Sequence, residues 1–264
     1  MAYKSLNERN KNLKKRKRLI GFLSIITVLG LLSSSYAWFS VNTFAGVDTL
    51  DLHISVSAQL KVSMEDHGTD LDKYVKVITN EMIDGYLGKY NTSIAETVLD
   101  PVTTSDGKVF TNKGGTERQP NDRSYLEFVC YFIATEDMWV HLTTEDSEQN
   151  GVDGTAVTSA DNLPKAEVVQ CTRVGFSTDT EMAVYEPHKA TQINSLKTFD
   201  LPAGQMVYTN DTRLFHLEQL TPTKVTIRLW VDGEDPQCDD DVQDADLSVQ
   251  LGFIGCDENN RPIA

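Results

Sequence analysis

Five consecutive cations, Lys14-Lys15-Arg16-Lys17-Arg18, abut an apolar stretch that runs from Leu19 to Leu32. No Asp, Glu, Lys or Arg occurs from Leu19 to Val47. This is the order of a secretory signal: the cations stay on the cytoplasmic side and the apolar stretch enters the bilayer. A buried core helix is the competing reading, but such a helix rarely has five charges against one end and no polar face. The feature constrains everything after it, because the rest of the chain is expected to fold on the far side of a membrane.

Two processing sites offer themselves. Ser35-Tyr36-Ala37 has small residues where a signal peptidase reads them, and Thr43-Phe44-Ala45 is a second candidate farther out. Without cleavage, Leu19–Phe39 is an uncharged stretch of 21 residues. That length spans a hydrocarbon core of roughly 30 Å as a transmembrane anchor. Tyr36, Trp38 and Phe39 would then form an aromatic belt at the outer interface. Charge supports a division at this point. Residues 1–45 hold eight basic residues and one acidic residue, whereas residues 46–264 hold 16 basic and 38 acidic ones, a net of −22. The expected organisation is therefore 1–45 as signal peptide or membrane anchor and 46–264 as a single domain. The whole chain of 264 residues carries −15, which argues against a nucleic-acid partner.

After the signal, the period becomes two. Leu50, Leu52, Ile54 and Val56 alternate with Asp51, His53 and Ser55, and Leu60, Val62 and Met64 resume after a short break. Further runs with strand composition are 125–134, 138–143, 168–177, 182–185, 214–220, 224–231 and 247–254. In 224–231, Val225, Ile227, Leu229 and Val231 share a face opposite Thr226, Arg228 and Trp230. One helix is expected. Leu71, Tyr74, Val75, Ile78 and Met82 repeat at three and four, Asp70 is its candidate N-cap, and Gly85 or Gly88 its stop. The fold expected is mainly β: an antiparallel β-sandwich with one inserted helix, preceded by an N-terminal hydrophobic signal or anchor helix. Residues 100–120 and 145–165 read as loop-rich.

The chemistry-bearing motifs are thin. His53, His67, His141, His188 and His216 form no His-Glu-x-x-His helix and no pair at ligand spacing. There is no Gly-x-Ser-x-Gly elbow, phosphate loop or Gly-x-Gly-x-x-Gly. No catalytic residue, cofactor site or metal site is expected, and the chain does not read as an enzyme. Asp232–Asp246 carries eight acidic residues in fifteen. Oxygen ligands at this density can bind Ca²⁺, but the EF-hand order is absent and a solvated acidic loop is the plainer reading. Cys238 and Cys256 flank the last expected strand and are candidates to bridge its ends. Cys130 and Cys171 lie inside expected strands and read as small buried hydrophobes.

Three stretches carry a resemblance. Residues 35–40 (Ser-Tyr-Ala-Trp-Phe-Ser) followed by 43–52 (Thr-Phe-Ala-Gly-Val-Asp-Thr-Leu-Asp-Leu) resemble the signal segment and first strand of the TasA/camelysin family of Gram-positive bacteria. Residues 100–110 and 225–238 are similar to exported proteins that share this kind of signal. The resemblance implies cleavage by a dedicated ER-type signal peptidase between Ala45 and Gly46, where spacing from the apolar stretch alone would favour Ala37. It implies a jelly-roll-like sandwich whose subunits join into biofilm-matrix fibres by lending an N-terminal strand to a neighbour. The corresponding segment here is Asp48–Val56, whose alternation suits a donated strand. The camelysin branch has been called a metallopeptidase; no zinc motif is recognisable here, so that activity is not carried over.

The sequence therefore points to an exported, non-enzymatic cell-surface or biofilm-matrix protein, secreted or on the extracellular cell surface. Its expected partners are the signal peptidase, the membrane during export, and further copies of itself. The alternatives are a membrane-anchored surface binding module and a secreted metallopeptidase with ligands gathered from distant positions.

Overall fold

Strand alternation dominates the architecture, as the period-two runs require. The computed structural model describes residues 47–145, 152–189 and 196–263, all within one compact unit, Phe44–Ala264. The unit is mainly β, with two helices. In chain order the strands are β1 (Val47–Val56), β2 (Leu60–Ser63), β3 (Val77–Ile78), β4 (Phe110–Thr111), β5 (Glu117–Arg118), β6 (Tyr125–Ala134), β7 (Met138–Leu142), β8 (Ala156–Thr158), β9 (Thr172–Ser177), β10 (Met182–Tyr185), β11 (Phe215–Leu217), β12 (Thr223–Val231) and β13 (Ala245–Cys256).

They form two main sheets and a small hairpin. The first sheet runs β11-β7-β13-β1-β3, with β8 also paired to β13. The second runs β10-β9-β12-β6-β2, and β4 pairs with β5. The second sheet is antiparallel throughout, whereas the first is mixed because β1 runs parallel to β13. Thus the expectation of a purely antiparallel arrangement holds for one sheet only. The reason is connectivity: β1 and β13 come from opposite ends of the unit's sequence, so no tight turn forces them antiparallel.

The two sheets share one core. Phe132 and Phe176 from the second sheet meet Phe253 of the first, at ring-centroid distances of 5.1 and 5.6 Å. Phe215 of β11 completes the group, 5.2 Å from Phe132. Edge-to-face contacts of this kind add to the burial of the rings. Val225, Ile227, Leu229 and Val231 all point into this core. Trp230, on the opposite face, is also fully buried: Phe110 and Tyr125 cover it, with Val102, Val184 and Leu196. The β4–β5 region, expected to be loop, thus supplies an apolar cover for the second sheet. Gly175 permits the fit, since a Cβ there would lie 3.1 Å from the Trp230 ring. The first sheet has its own outer cover, made by Tyr208 with Ile254, Cys256 and Met206.

The inserted helix starts later than its periodicity implied. Leu71–Lys73 is a 3-10 turn, Val75 bridges Val62, and β3 takes Val77–Ile78. The helix itself is Asn80–Leu87, with Thr79 at its N-cap and Gly88 at its C-cap. Val75, Val77, Ile78 and Thr79 are β-branched, and a sheet edge beside them outcompetes helix. A second helix, Val168–Cys171, occupies the start of the expected 168–177 strand. Among the described residues no helix is long and apolar enough to cross a membrane. The segment Leu19–Phe39 lies outside them.

Candidate functional site

The expected strand donor is β1, and the structure places it in a distinctive position. Nine of its residues pair with β13, from Val47 opposite Ala245 to Val56 opposite Phe253, with a register shift between Val47 and Thr49. On its other side β3 pairs only with Ile54 and Ser55. Toward its start, Leu52 N–H donates instead to the Asn80 side-chain oxygen at 3.0 Å. One side of β1 is therefore a long ladder, and most of the other side has no strand partner among the described residues. Unpaired strand edges are templates for further strands.

Side-chain packing holds the second half of β1. Leu52, Ile54 and Val56 enter the common core. Ser55 faces Gly252, and its hydroxyl donates to the Asp153 carbonyl at 3.1 Å. Only glycine fits at 252, because a Cβ there would lie 2.1 Å from that same carbonyl oxygen. The strand ends in a turn where Ser57 N–H donates to the Phe253 carbonyl and Lys76 donates to the Ser57 carbonyl at 2.6 Å. Burial in this turn lowers the Lys76 pKa, with Lys61 adding to the effect.

The acidic stretch divides in two. Asp239 caps the 3-10 turn Asp240–Val242 by accepting from Asp241 N–H. Asp232 and Asp235, in contrast, turn inward to Arg173, a fully buried arginine on β9. Arg173 Nη2 donates to Asp235 at 2.6 Å and to Glu186 at 3.0 Å, while Nε lies 4.0 Å from Asp232. Its Nη1 donates to the Gln170 and Thr172 carbonyls, and Thr198 donates to Glu186. Burial pushes the Asp232 carboxyl up to about 6, against the pull of a Glu234 backbone bond and of Arg173. The inward carboxylates thus serve an arginine rather than a cation site. Among the described residues no group of three or more His, Cys, Asp or Glu is arranged to hold a metal.

The histidines are dispersed. His67 packs edge-on to Tyr74, and His216 packs on Trp139. His188 sits in a loop at positive φ, and His53 is on β1. His141 is buried on β7, where Nδ1 pairs with the Thr212 hydroxyl at 3.1 Å and Nε2 has no hydrogen-bond partner among the described residues. Burial lowers its pKa to about 4, so it stays neutral at ordinary pH.

Cys238 and Cys256 do not bridge; all four cysteines are free. Cys256 belongs to the outer cover of the first sheet, whereas Cys238 packs against the main core beside Cys171. Residues that flank a strand in sequence need not meet in space, and here Cys238 and Cys256 belong to different apolar clusters. The expected cleavage residues, Ala45 and Gly46, lie outside the described residues. The Arg173 cluster was not anticipated. Its one sequence signal was a lone arginine inside an apolar run, a residue type almost never buried without partners. In comparisons with known proteins, no family model, no curated protein and no solved structure matches the chain.

Proposed function

We propose that the chain is an exported, non-enzymatic surface or matrix protein that self-associates by exchanging β1. In this reading residues 1–45 direct export, and a signal peptidase cuts between Ala45 and Gly46. Residues 46–264 form a single jelly-roll-like sandwich outside the membrane. The observation that carries the proposal is the seam of β1: nine residues paired with β13, a nearly open second edge, and a position directly after the proposed export segment.

Exchange is chemically economical. A strand that leaves its own sheet and enters the same groove of a neighbour regains its ladder and its buried Leu52, Ile54 and Val56. Repeated head to tail, that step builds an open chain of subunits. The large negative charge opposes close approach of copies, so assembly should respond to pH and added cations.

The test is the N-terminal sequence and assembly state of protein recovered from its host, with medium and envelope analysed separately. A chain starting at Gly46, present in the medium or matrix as fibres, supports the reading. An intact N-terminus confined to the membrane fraction replaces it with the anchored binding module.

A further inference from the structure

Four cysteines lie in three different surroundings. Cys130 faces the Met64 sulfur at 3.6 Å inside the core, and Cys256 sits under the first sheet's cover. Cys171 and Cys238, 67 positions apart, are neighbours against the main core, where the Cys171 thiol donates to the Glu167 carbonyl at 3.5 Å.

Their approach is built by the backbone. Cys171 ends the helix Val168–Cys171, and its carbonyl accepts from Asp232 N–H at 2.8 Å. From there the chain coils back: Asp235 N–H donates to the Asp232 carbonyl and Cys238 N–H to the Asp235 carbonyl. Arg173 clamps both segments at once. It donates to the carbonyls of Gln170 and Thr172, which flank Cys171, and to the carboxylate of Asp235, three residues before Cys238. Two cysteines whose backbone segments are anchored to each other in this way meet the first requirement of a disulfide.

We propose that Cys171 and Cys238 are a redox pair that closes to a disulfide and staples the 232–238 turn to the start of β9. This inference stands apart from the strand-exchange reading and holds whether or not fibres form.

The half-buried Cys238 is the sulfur that solution reaches, while Cys171 is sealed. The neighbouring Cys238 sulfur and then burial push the Cys171 thiol well above the ordinary thiol range, and Cys171, sealed from solution, is the resolving partner. The Cys238 thiolate attacks one sulfur of a small-molecule or protein disulfide donor, and the donor's other sulfur leaves as a thiol. Cys171 then gives up its proton, and its sulfur attacks Cys238 Sγ, releasing the second donor thiol. One S–S bond forms in the protein, one is broken in the donor, and the two protons end on the donor's sulfurs. Export places a chain where such donors are maintained.

The test treats the full purified chain with oxidised glutathione, blocks remaining thiols under denaturing conditions, and maps linked peptides. Trypsin alone leaves Cys238 and Cys256 on one fragment, because no Lys or Arg lies between Arg228 and Arg261; a second cut before aspartates separates them. The expected result is a Cys171–Cys238 link and a Tm that rises on the order of 10 °C over the reduced form. Cys238→Ser, at a half-buried position, should abolish link and shift together, whereas Cys256→Ala should keep both. Four blocked thiols after donor treatment, or a link through Cys130 or Cys256, would overturn the proposal.

Discussion

The two sheets are built by opposite strategies. The second is a run of antiparallel neighbours, with eight registered pairs between β6 and β12 and six between β12 and β9. The first depends on one strand that precedes the rest of the unit in sequence, lies parallel to the last strand, and is poorly covered on its far side. Their outer covers differ as well. The second sheet is roofed by stacked aromatics, Phe110 on Tyr125 at 4.1 Å and edge-on to Trp230. The first has a partly polar roof, with Tyr208 hydrogen-bonded to Thr143 at 2.8 Å and packed on His141. The comparison locates the proposed exchange: the second sheet is closed by antiparallel neighbours, and the first holds the strand that the proposal trades between copies.

The strongest way to break this comparison is to delete Asp48–Val56. Loss of Leu52, Ile54 and Val56 opens the core along β13, so thermal unfolding should lose its cooperative transition and electron microscopy should show no fibres. A synthetic peptide of residues 47–57 should restore folding by adding to the same edge. Fibres that persist unchanged would remove β1 from the assembly mechanism.

A matched pair of substitutions sharpens the contrast. Ile54→Ala in β1 and Ile227→Ala in β12 each empty a fully buried site and should cost ~2–5 kcal/mol in chemical denaturation. Only Ile54→Ala should change the rate at which differently labelled subunits mix. Equal mixing rates would mean that the two sheets do not differ in the way described.

The two sheets should also answer pH with opposite signs. Beneath the first sheet's roof, the His141 pKa falls from 6.5 to about 4 on folding. Neutral histidine is required, so its share of stability is present above 6.5 and is lost as pH drops toward 4, by up to about 3 kcal/mol. His141→Phe should flatten that limb of a pH–stability curve measured by urea unfolding. At the end of the second sheet, the Asp232 pKa rises from 3.8 to about 6. Its contribution is present below 3.8 and lost as pH rises through 6. Asp232→Asn keeps an oxygen for the Glu234 N–H but surrenders attraction to Arg173, so a smaller gain of ~1–2 kcal/mol is expected at pH 8. No gain at pH 8, with no change at pH 4, would show that Arg173 needs all three carboxylates ionised.

Much of this fold was legible in the sequence where one face of a strand is apolar. The run from Tyr125 to Ala134 and that from Met182 to Tyr185 appear as strands with those bounds. Tertiary competition decided the failures. Val168–Cys171 has strand composition, yet it winds into a helix that delivers Gln170 and its carbonyl to Arg173. The helical period from Leu71 to Met82 was an accident of spacing that β-branched residues overrode beside β1 and β2. The parallel direction of β1 has no local signature, because it arises from a partner at the far end of the unit. The Arg173 cluster was invisible for the same reason: its ligands come from β9, the segment after β10 and the segment after β12.

The placement of indole rings follows from this two-sheet division. The sequence has three tryptophans, and cleavage between Ala45 and Gly46 would remove Trp38. Of the two that remain, Trp139 belongs to the first sheet, half-buried beneath the Arg213 guanidinium at 4.4 Å, and Trp230 is sealed in the second. The processed protein would therefore carry one tryptophan per sheet, one polar and quenchable, the other dry and blue-emitting. Strand exchange and unfolding could then be followed separately by light, with no added label.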